Sequence, residues 1–221
     1  MNRYLHHLRE NALLRTYKKG ANLLFQGEIP RRGFVVASGV VRAYTISSSG
    51  EEQTVGFYTE GDIAPLSWLM DDTTNTLFYY EALSDVRAWL FTKDDFVSNI
   101  LEDKEALQAL TRKLATDNVA YLLRITGLAQ SRADEKIAFI LYYLLFRYGK
   151  LEKKDIYSVE LHLTHATLAS LVGLSRESTT KILNNLQSKK IISYEKGCYS
   201  VHKKNLENYI GEDAFRDLDL R

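Results

Sequence analysis

LASLVGLSRESTTKILNNL, from Leu168 to Leu186, contains two helical patterns separated by one glycine. Apolar residues follow helical spacing before Gly173, and they do so again after it. The residues that follow Gly173 and Leu174, from Ser175 to Lys181, are all polar. A polar helix face can simply be solvated, so the function of this run has to be judged from the residues around it.

The ends of both helices can be predicted from capping residues. Thr164 is a suitable N-cap for a first helix over 165–172, and Gly173 can adopt the left-handed conformation that ends it. Ser175 can cap a second helix that ends near Ser188. Two helices joined by a short turn that contains glycine form a helix-turn-helix.

The second helix has one packed face and one polar face. Thr180 lies about 40° and Glu177 about 100° around the helix axis from Arg176. Lys181 follows at about 140°. The opposite side carries Thr179, Ile182, Leu183 and Leu186. Recognition helices enter the major groove of DNA with their N-terminal residues first, and the polar face starts at this end.

The residue types on the polar face suit the reading of bases. Arg176 can make a bidentate contact to guanine O6 and N7, and Glu177 can accept from cytosine N4. Because phosphates repel a glutamate, its position here favours base readout over simple charge attraction. The alternative, a solvated face with an Arg–Glu pair, stays open at this point.

A small hairpin and several cations follow the motif. Two strands, 191–195 and 198–201, flank Lys196 and Gly197 and predict a wing. The lysines that could contact phosphates are Lys189, Lys190, Lys196, Lys203 and Lys204. The N-terminus of the first helix could hold a phosphate through Thr164, His165 and Thr167.

Charge is distributed unevenly along the 221 residues, although the net charge is only +1. Residues 1–149 carry 17 basic and 18 acidic side chains. Residues 150–204 carry 10 basic and 5 acidic ones, and residues 205–221 are acidic. The segment that holds the helix-turn-helix therefore favours a polyanionic partner through counterion release.

The N-terminal part of the chain has β texture from about Thr16 to Thr92. FVVASGVVRAYTI, over 34–46, is rich in β-branched and aromatic residues, and SSSGEE then predicts a turn. Short strands with frequent turns predict an antiparallel sandwich or barrel, whose core could enclose a pocket.

The pattern becomes helical after about Asp94. A long helix is predicted over 104–129, and a second, apolar on most faces, over 133–149. A stripe spaced by threes and fours on the long helix suits a coiled-coil dimer seam. Its members are Leu107, Leu110, Leu114, Tyr121, Ile125 and Leu128. The alternative, packing of this helix on its own domain, is not excluded by the pattern.

Several classes of protein are disfavoured by composition. A single cysteine, Cys198, excludes an internal disulfide and a four-cysteine metal or iron–sulfur site within one chain. No apolar run approaches the roughly 20 residues of a membrane span, and no signal peptide is evident, so we expect a cytoplasmic protein. No histidine occurs between Tyr17 and Glu102, which argues against a metal-dependent barrel enzyme. We predict neither catalytic residues nor a metal site.

Two stretches resemble the cyclic-AMP receptor protein/FNR (Crp/Fnr) family of bacterial transcription regulators. LTHATLASLVGLSRESTTKILNNLQSKKII, over 163–192, is similar to the family's winged helix-turn-helix. GANLLFQGEIPRRGFVVASGVVRAY, over 20–44, is similar to its β-roll. The resemblance implies an α+β fold: an antiparallel, jelly-roll-like β-roll sensor domain (1–103), a dimerisation helix (104–130), a winged helix-turn-helix (131–210) and an acidic tail (211–221).

The same resemblance implies a homodimer on a pseudo-palindromic DNA site, with RNA polymerase as a further partner. It assigns base reading to Arg176, Glu177 and Lys181, and the DNA-contacting set predicted from all these arguments is Thr164, His165, Thr167, Ser175, Arg176, Glu177, Thr180, Lys181 and Lys196. Lys181 replaces the family's usual arginine and is a point donor instead of a fork. Thr179 replaces an apolar core residue, and we expect its hydroxyl to bond back along the helix.

The sensor part departs from the cyclic-nucleotide-binding members of the family. Ala64 and Pro65 stand where those proteins have Gly-Glu, and Thr76 and Leu77 stand near their Arg-Ser/Thr site. The phosphate-pairing arginine is missing and Pro65 lacks an N–H, so we expect no gating by cyclic AMP. A cavity for another, unknown effector could be lined by Trp68, Met70, Phe78, Tyr80 and Tyr121, which could equally be plain core. The alternative function is a small-molecule or haem sensor module with weak or lost DNA binding, although we predict no cofactor.

Overall fold

The computed structural model describes residues 12–211. The chain divides into two compact units, with the boundary between Leu114 and Ala115, inside the long helix. The predicted acidic tail lies beyond Gly211 and therefore outside the described residues. Within the described range no helix is long and apolar enough to cross a membrane.

The first unit contains two antiparallel four-stranded sheets, which confirms the predicted β-roll. One sheet has the order β1-β8-β3-β6 and the other the order β2-β7-β4-β5. The strands are β1 (Leu13–Tyr17), β2 (Asn22–Leu24), β3 (Gly33–Ser38), β4 (Val41–Ile46), β5 (Glu52–Tyr58), β6 (Ile63–Ala64), β7 (Tyr79–Ala82) and β8 (Val86–Phe91).

Short helical segments connect the roll to the long helix. The helix α1 (Leu66–Leu69) follows β6, and α2 (Lys93–Phe96) follows β8 and continues into a π-helical turn over Val97–Leu101. Thr92 caps α2, because its side chain accepts from the N–H of Asp95 while the Asp95 carboxylate accepts from the N–H of Thr92. The long helix α3 (Lys104–Ala129) then begins and ends at the residues predicted for it.

Alternation along β3 gives the roll two separate cores. Phe34 points between the two sheets, where it packs with Tyr80 and the other inner residues. Val35, the next residue, points to the other face of its sheet, because successive side chains of a strand alternate. The second core lies on that face and contains Val35, Ile63, Trp68, Leu69, Phe91, Phe96, Ile100, Ala106 and Leu110.

This division corrects two predictions. Leu110 is only 4% exposed and belongs to the second core, so it packs on its own domain and is not free for a dimer seam. Trp68 lies in the second core, whereas Tyr80 and Phe78 pack in the first. Met70 is 46% exposed. The five side chains expected to line one effector cavity therefore do not form a single cluster, since a sheet separates Trp68 from Tyr80.

Four of the five remaining seam residues are exposed along α3. Leu107, Leu114, Tyr121 and Ile125 are exposed by 39 to 60%. Leu128 is partly buried.

The second unit contains the predicted helix-turn-helix and wing. Its elements are α4 (Ala133–Tyr148), β9 (Lys150–Lys153), β10 (Ile156–Val159), α5 (His165–Val172), α6 (Arg176–Ser188), β11 (Ile192–Glu195), β12 (Cys198–His202) and α7 (Lys203–Ile210). The strands form one antiparallel sheet in the order β11-β12-β10-β9. The hairpin of β9 and β10 and the helix α7 were not predicted from the sequence.

The apolar helix α4 is the centre of this unit, and nine consecutive residues over 137–145 are buried. The C-terminal part of α3 approaches it closely at Gly127, where a Cβ atom would lie 2.7 Å from Cβ of Phe139. A glycine is therefore required at this crossing. The contact holds the end of α3 against the core on which the helix-turn-helix is built.

Candidate nucleic-acid interface

The turn between α5 and α6 forms as the capping residues predict. Thr164 Oγ1 accepts from the N–H of Thr167 at 3.0 Å, and Ser175 Oγ accepts from the N–H of Ser178 at 3.1 Å. Gly173 has φ +69° and ends α5 in the left-handed conformation. Local hydrogen bonds thereby fix the start of both helices.

The two faces of α6 are separated as expected. Thr179, Leu183 and Leu186 are buried, whereas Arg176, Glu177 and Lys181 are exposed. Within the described part of the chain, neither Arg176 nor Glu177 takes part in an ion pair. The alternative of a solvated Arg–Glu pair is therefore not what the structure contains, and both side chains are available to an outside partner.

The start of α5 offers fewer side chains for contact with DNA than the sequence suggests. Thr164 is exposed, but Thr167 is only 8% exposed and its hydroxyl lies 2.9 Å from the hydroxyl of Thr164. Because the side chain of Thr167 is buried in the capping arrangement, its assignment as a DNA contact is wrong. The anion-binding potential of this helix start rests on Thr164 and His165.

His165 joins three elements of the surface. Its Nδ1 lies at hydrogen-bond distance, 3.1 Å, from Oγ1 of Thr180 on α6. Its ring lies 5.0 Å from the ring of Tyr194 on β11, which in turn packs against Tyr199. Burial lowers the pKa of His165, and the positive charge of nearby Arg176 lowers it further. The imidazole is therefore neutral at neutral pH.

The wing places Lys196 at the tip of the hairpin formed by β11 and β12. Lys196 has φ +50° and is exposed, and Gly197 follows with φ +86°. A Cβ atom on Gly197 would lie 3.0 Å from Cα of His162, so the tip packs closely on the loop before α5. The ammonium of Lys196 lies 3.7 Å from the carboxylate of Glu195, an exposed pair that contributes little stability.

Two of the other lysines are engaged within the protein. Lys203 Nζ lies 3.0 Å from Glu207 Oε1, and both side chains are largely buried. Lys203 is therefore not available for a phosphate, contrary to the prediction. The ammonium of Lys189 lies 4.7 Å from the ring centre of Tyr209. Lys190 and Lys204 are exposed.

One expectation for α6 itself is wrong. The hydroxyl of Thr179 is fully buried and, within residues 12–211, has no hydrogen-bond partner. The carbonyl of Ser175, four residues earlier, accepts the backbone N–H of Thr179 at 3.0 Å and does not accept its hydroxyl. The sequence reasoning also missed the bond between His165 and Thr180, because 15 positions separate the two residues and only the crossing of the helices joins them.

Two family models match the chain. Residues 14–103 match the cyclic nucleotide-binding domain, and residues 135–208 match the Crp-like helix-turn-helix domain. The chain belongs to the Crp/Fnr family of transcription regulators, in which a β-roll precedes a helix-turn-helix on one chain.

Within residues 12–211 no group of three or more histidine, cysteine or acidic side chains could hold a metal ion.

Individual relatives resemble the chain over most of its length. The global nitrogen regulator of Nostoc sp. is 23% identical over 192 residues, which cover 86% of each protein. The transcriptional activator protein anr of Pseudomonas aeruginosa is 26% identical over 82% of this chain and 73% of its own. The solved structure of FixK2 from Bradyrhizobium japonicum has the same fold, with a TM-score of 0.72, 19% identity and coverage of 89% of this chain and 96% of its own.

Replacing Thr179 by valine tests the buried hydroxyl. A buried hydroxyl without a partner lowers the stability of the folded state by about 1 to 3 kcal/mol. Valine has nearly the same shape as threonine, with a methyl group in place of the hydroxyl. We expect Thr179→Val to raise the free energy of unfolding by about 1 kcal/mol, measured by urea denaturation at a fixed protein concentration. Thr180→Val, which removes a bonded hydroxyl, is the control and should not stabilise. A destabilised Thr179→Val protein would show that this hydroxyl has a partner.

Proposed function

We propose that this Crp/Fnr regulator binds double-stranded DNA as a homodimer on a pseudo-palindromic operator. In this proposal residues 1–103 form the sensor domain, residues 104–130 the dimerisation helix and residues 131–210 the DNA-binding domain. The protein acts in the cytoplasm, where it also contacts RNA polymerase, and it has no catalytic role. The observation that carries the proposal is the exposed polar face at the N-terminal end of α6, where neither Arg176 nor Glu177 forms an ion pair within residues 12–211.

Each residue of this face has a role that its chemistry supports. Arg176 donates two hydrogen bonds to a guanine, and Glu177 accepts from a cytosine amino group. Lys181 adds a single charged donor further along the groove. Ser175 and Thr164 at the two helix starts, together with Lys196 at the wing tip, contact phosphates and so set the register on the duplex.

The base-reading role of Arg176 can be tested on DNA selected by the wild-type protein from genomic fragments. We expect Arg176→Ala to weaken operator binding by about 1 to 3 kcal/mol and to relax selectivity at one base pair per half-site. Arg176→Lys is the matched control: it keeps the charge, and with it the salt dependence, but loses the bidentate fork. The proposal fails if the wild-type protein selects no sequence, or if Arg176→Ala keeps full selectivity in a footprint.

The homodimer is supported by the uncovered stripe on α3. Leu107, Leu114 and Tyr121 follow one another at intervals of seven, and Ile125 lies four residues after Tyr121. This is the heptad spacing of a two-stranded coiled coil. A row of exposed side chains with this spacing suits packing against a second copy of the same helix, which presents the matching row.

A charge in this stripe should separate the subunits. We expect Ile125→Glu to convert the dimer into monomers in sedimentation equilibrium, because it places like charges opposite each other in an apolar seam. Operator affinity should fall with the loss of the second half-site. Leu151→Glu, at a residue of β9 that is 64% exposed, introduces the same charge elsewhere and should leave the dimer intact. A monomeric wild-type protein would contradict the proposal.

We also propose that cyclic AMP does not gate the protein. Ala64 is fully buried and pairs with Phe34 in the sheet. Pro65 lacks a backbone donor. The hydroxyl of Thr76 is used inside the roll, where it donates to the carbonyl of Phe25. None of these groups can replace a phosphate-pairing arginine.

Isothermal titration of the purified protein with cyclic AMP provides the measurement. We expect no binding in the micromolar range and no change in operator affinity when cyclic AMP is added. Titration of the same protein sample with operator DNA shows that it is active. A micromolar dissociation constant for cyclic AMP would reverse this part of the proposal.

A further inference from the structure

The hydroxyl of Thr180 is in an unusual position for a helical threonine. On α3, the hydroxyls of Thr111 and Thr126 donate to the carbonyls four residues earlier, at 2.8 and 3.0 Å. Within residues 12–211, Thr180 makes no such bond. Among the described residues its one hydrogen-bond partner is Nδ1 of His165, at 3.1 Å.

The state of the ring decides which of the two groups donates. A neutral imidazole carries its proton on one nitrogen, so Nδ1 either accepts or donates. If Nδ1 were protonated, the hydrogen of the Thr180 hydroxyl would have no acceptor within the described structure. If Nδ1 is unprotonated, it accepts that hydrogen and both groups are satisfied. Burial and the charge of Arg176, which lower the pKa of His165, keep the ring in the neutral form that this arrangement needs.

We propose that His165 is a positioning residue for base recognition: by accepting the hydrogen of the Thr180 hydroxyl, it makes Thr180 an acceptor toward DNA. This inference rests on the proposed function of α6. Thr180 lies about 40° around the helix from Arg176, and a hydroxyl that has given its hydrogen to His165 has only lone pairs to offer to a further partner. In the major groove the complementary donors are the amino groups of adenine N6 and cytosine N4. Thr180 therefore favours adenine or cytosine at the base that it contacts.

Protonation of the ring reverses this preference. A charged imidazole carries hydrogen on both nitrogens, so Nδ1 donates to Oγ1 and the hydroxyl hydrogen turns outward. Thr180 then prefers acceptors such as guanine O6 or thymine O4. The groups that face the ring are Arg176 from α6, whose charge opposes protonation, and Tyr194 from β11, with Tyr199 behind it.

The experiment measures binding of the full-length protein to operator variants that carry each of the four bases at every position of a half-site. Thr180→Val, which keeps the shape and the methyl group, identifies the position that the hydroxyl reads. At that position and pH 7.5, we expect the wild-type protein to prefer adenine or cytosine by about threefold to tenfold, the size of one hydrogen bond. Thr180→Ser keeps the hydroxyl and should keep the preference, which excludes a contact through the methyl group.

The variant His165→Phe then tests the positioning role. Phenylalanine keeps a ring against Tyr194 but has no acceptor, so we expect the preference at the Thr180 position to disappear. Selectivity at the position read by Arg176 should remain, which shows that the domain is folded and bound. In the wild-type protein the preference should shift toward guanine or thymine as the pH is lowered through the pKa of His165, and His165→Phe should not show this shift.

The outcomes separate the two proposals. An adenine or cytosine preference that persists in His165→Phe, or a wild-type preference for guanine or thymine at pH 7.5, overturns the role of His165 and leaves the proposed function intact. Complete lack of sequence preference in the wild-type protein overturns both.

Discussion

Burial of Leu183 and Leu186 is the constraint on which the interface depends. These two side chains anchor one side of α6 in the core of the second unit, and the polar face has to point away from that core. The helical periodicity then keeps Arg176 and Lys181 on the exposed side, because rotating them inward would expose the leucines to water. Removing a buried leucine side chain costs about 2 to 5 kcal/mol, which is far more than any surface contact of the polar face returns.

The C-terminal part of α3 is firmly attached to the same core. Beyond the close crossing at Gly127, Asp117 and Arg147 form an ion pair at 2.6 Å with both side chains largely buried. The guanidinium of Arg124 donates to the carbonyl of Leu171, near the end of α5, at 3.3 Å. A buried ion pair adds little net stability, but breaking one leaves a costly unpaired charge, so these contacts specify one arrangement. The helix proposed for dimerisation is thus tied to the helix that precedes the recognition helix.

The β-roll also combines apolar packing with a specific polar contact. Phe34, Tyr58 and Tyr80 contact each other edge to face between the sheets, and burial raises the pKa of Tyr80 to about 12. Asp62, the residue before β6, accepts from the N–H of Thr59 and pairs with Lys113 of α3 at 2.5 Å. Aromatic packing thus fills part of the space between the sheets, and the ion pair of Asp62 with Lys113 joins the roll to the N-terminal part of α3.

The sequence by itself determined most of the features that depend on neighbours within a few residues, although the hairpin of β9 and β10 was missed. The limits of α3, α5 and α6, the left-handed glycine of the turn, the wing hairpin and the two faces of α6 all follow from caps, turns and periodicity. Such features are encoded locally, because hydrogen bonds and side-chain facing within one element connect residues at most four positions apart. The candidate base-reading residues could be chosen on this ground alone.

The tertiary structure alone decided which side chains are free to act. Leu110 is buried in the second core of the first unit, Thr167 is only 8% exposed, and the ion pair of Lys203 with Glu207 is largely buried. The bond between His165 and Thr180 joins two helices across the turn. These outcomes depend on how separate elements cross, and periodicity within one element carries no information about which distant residue it will meet.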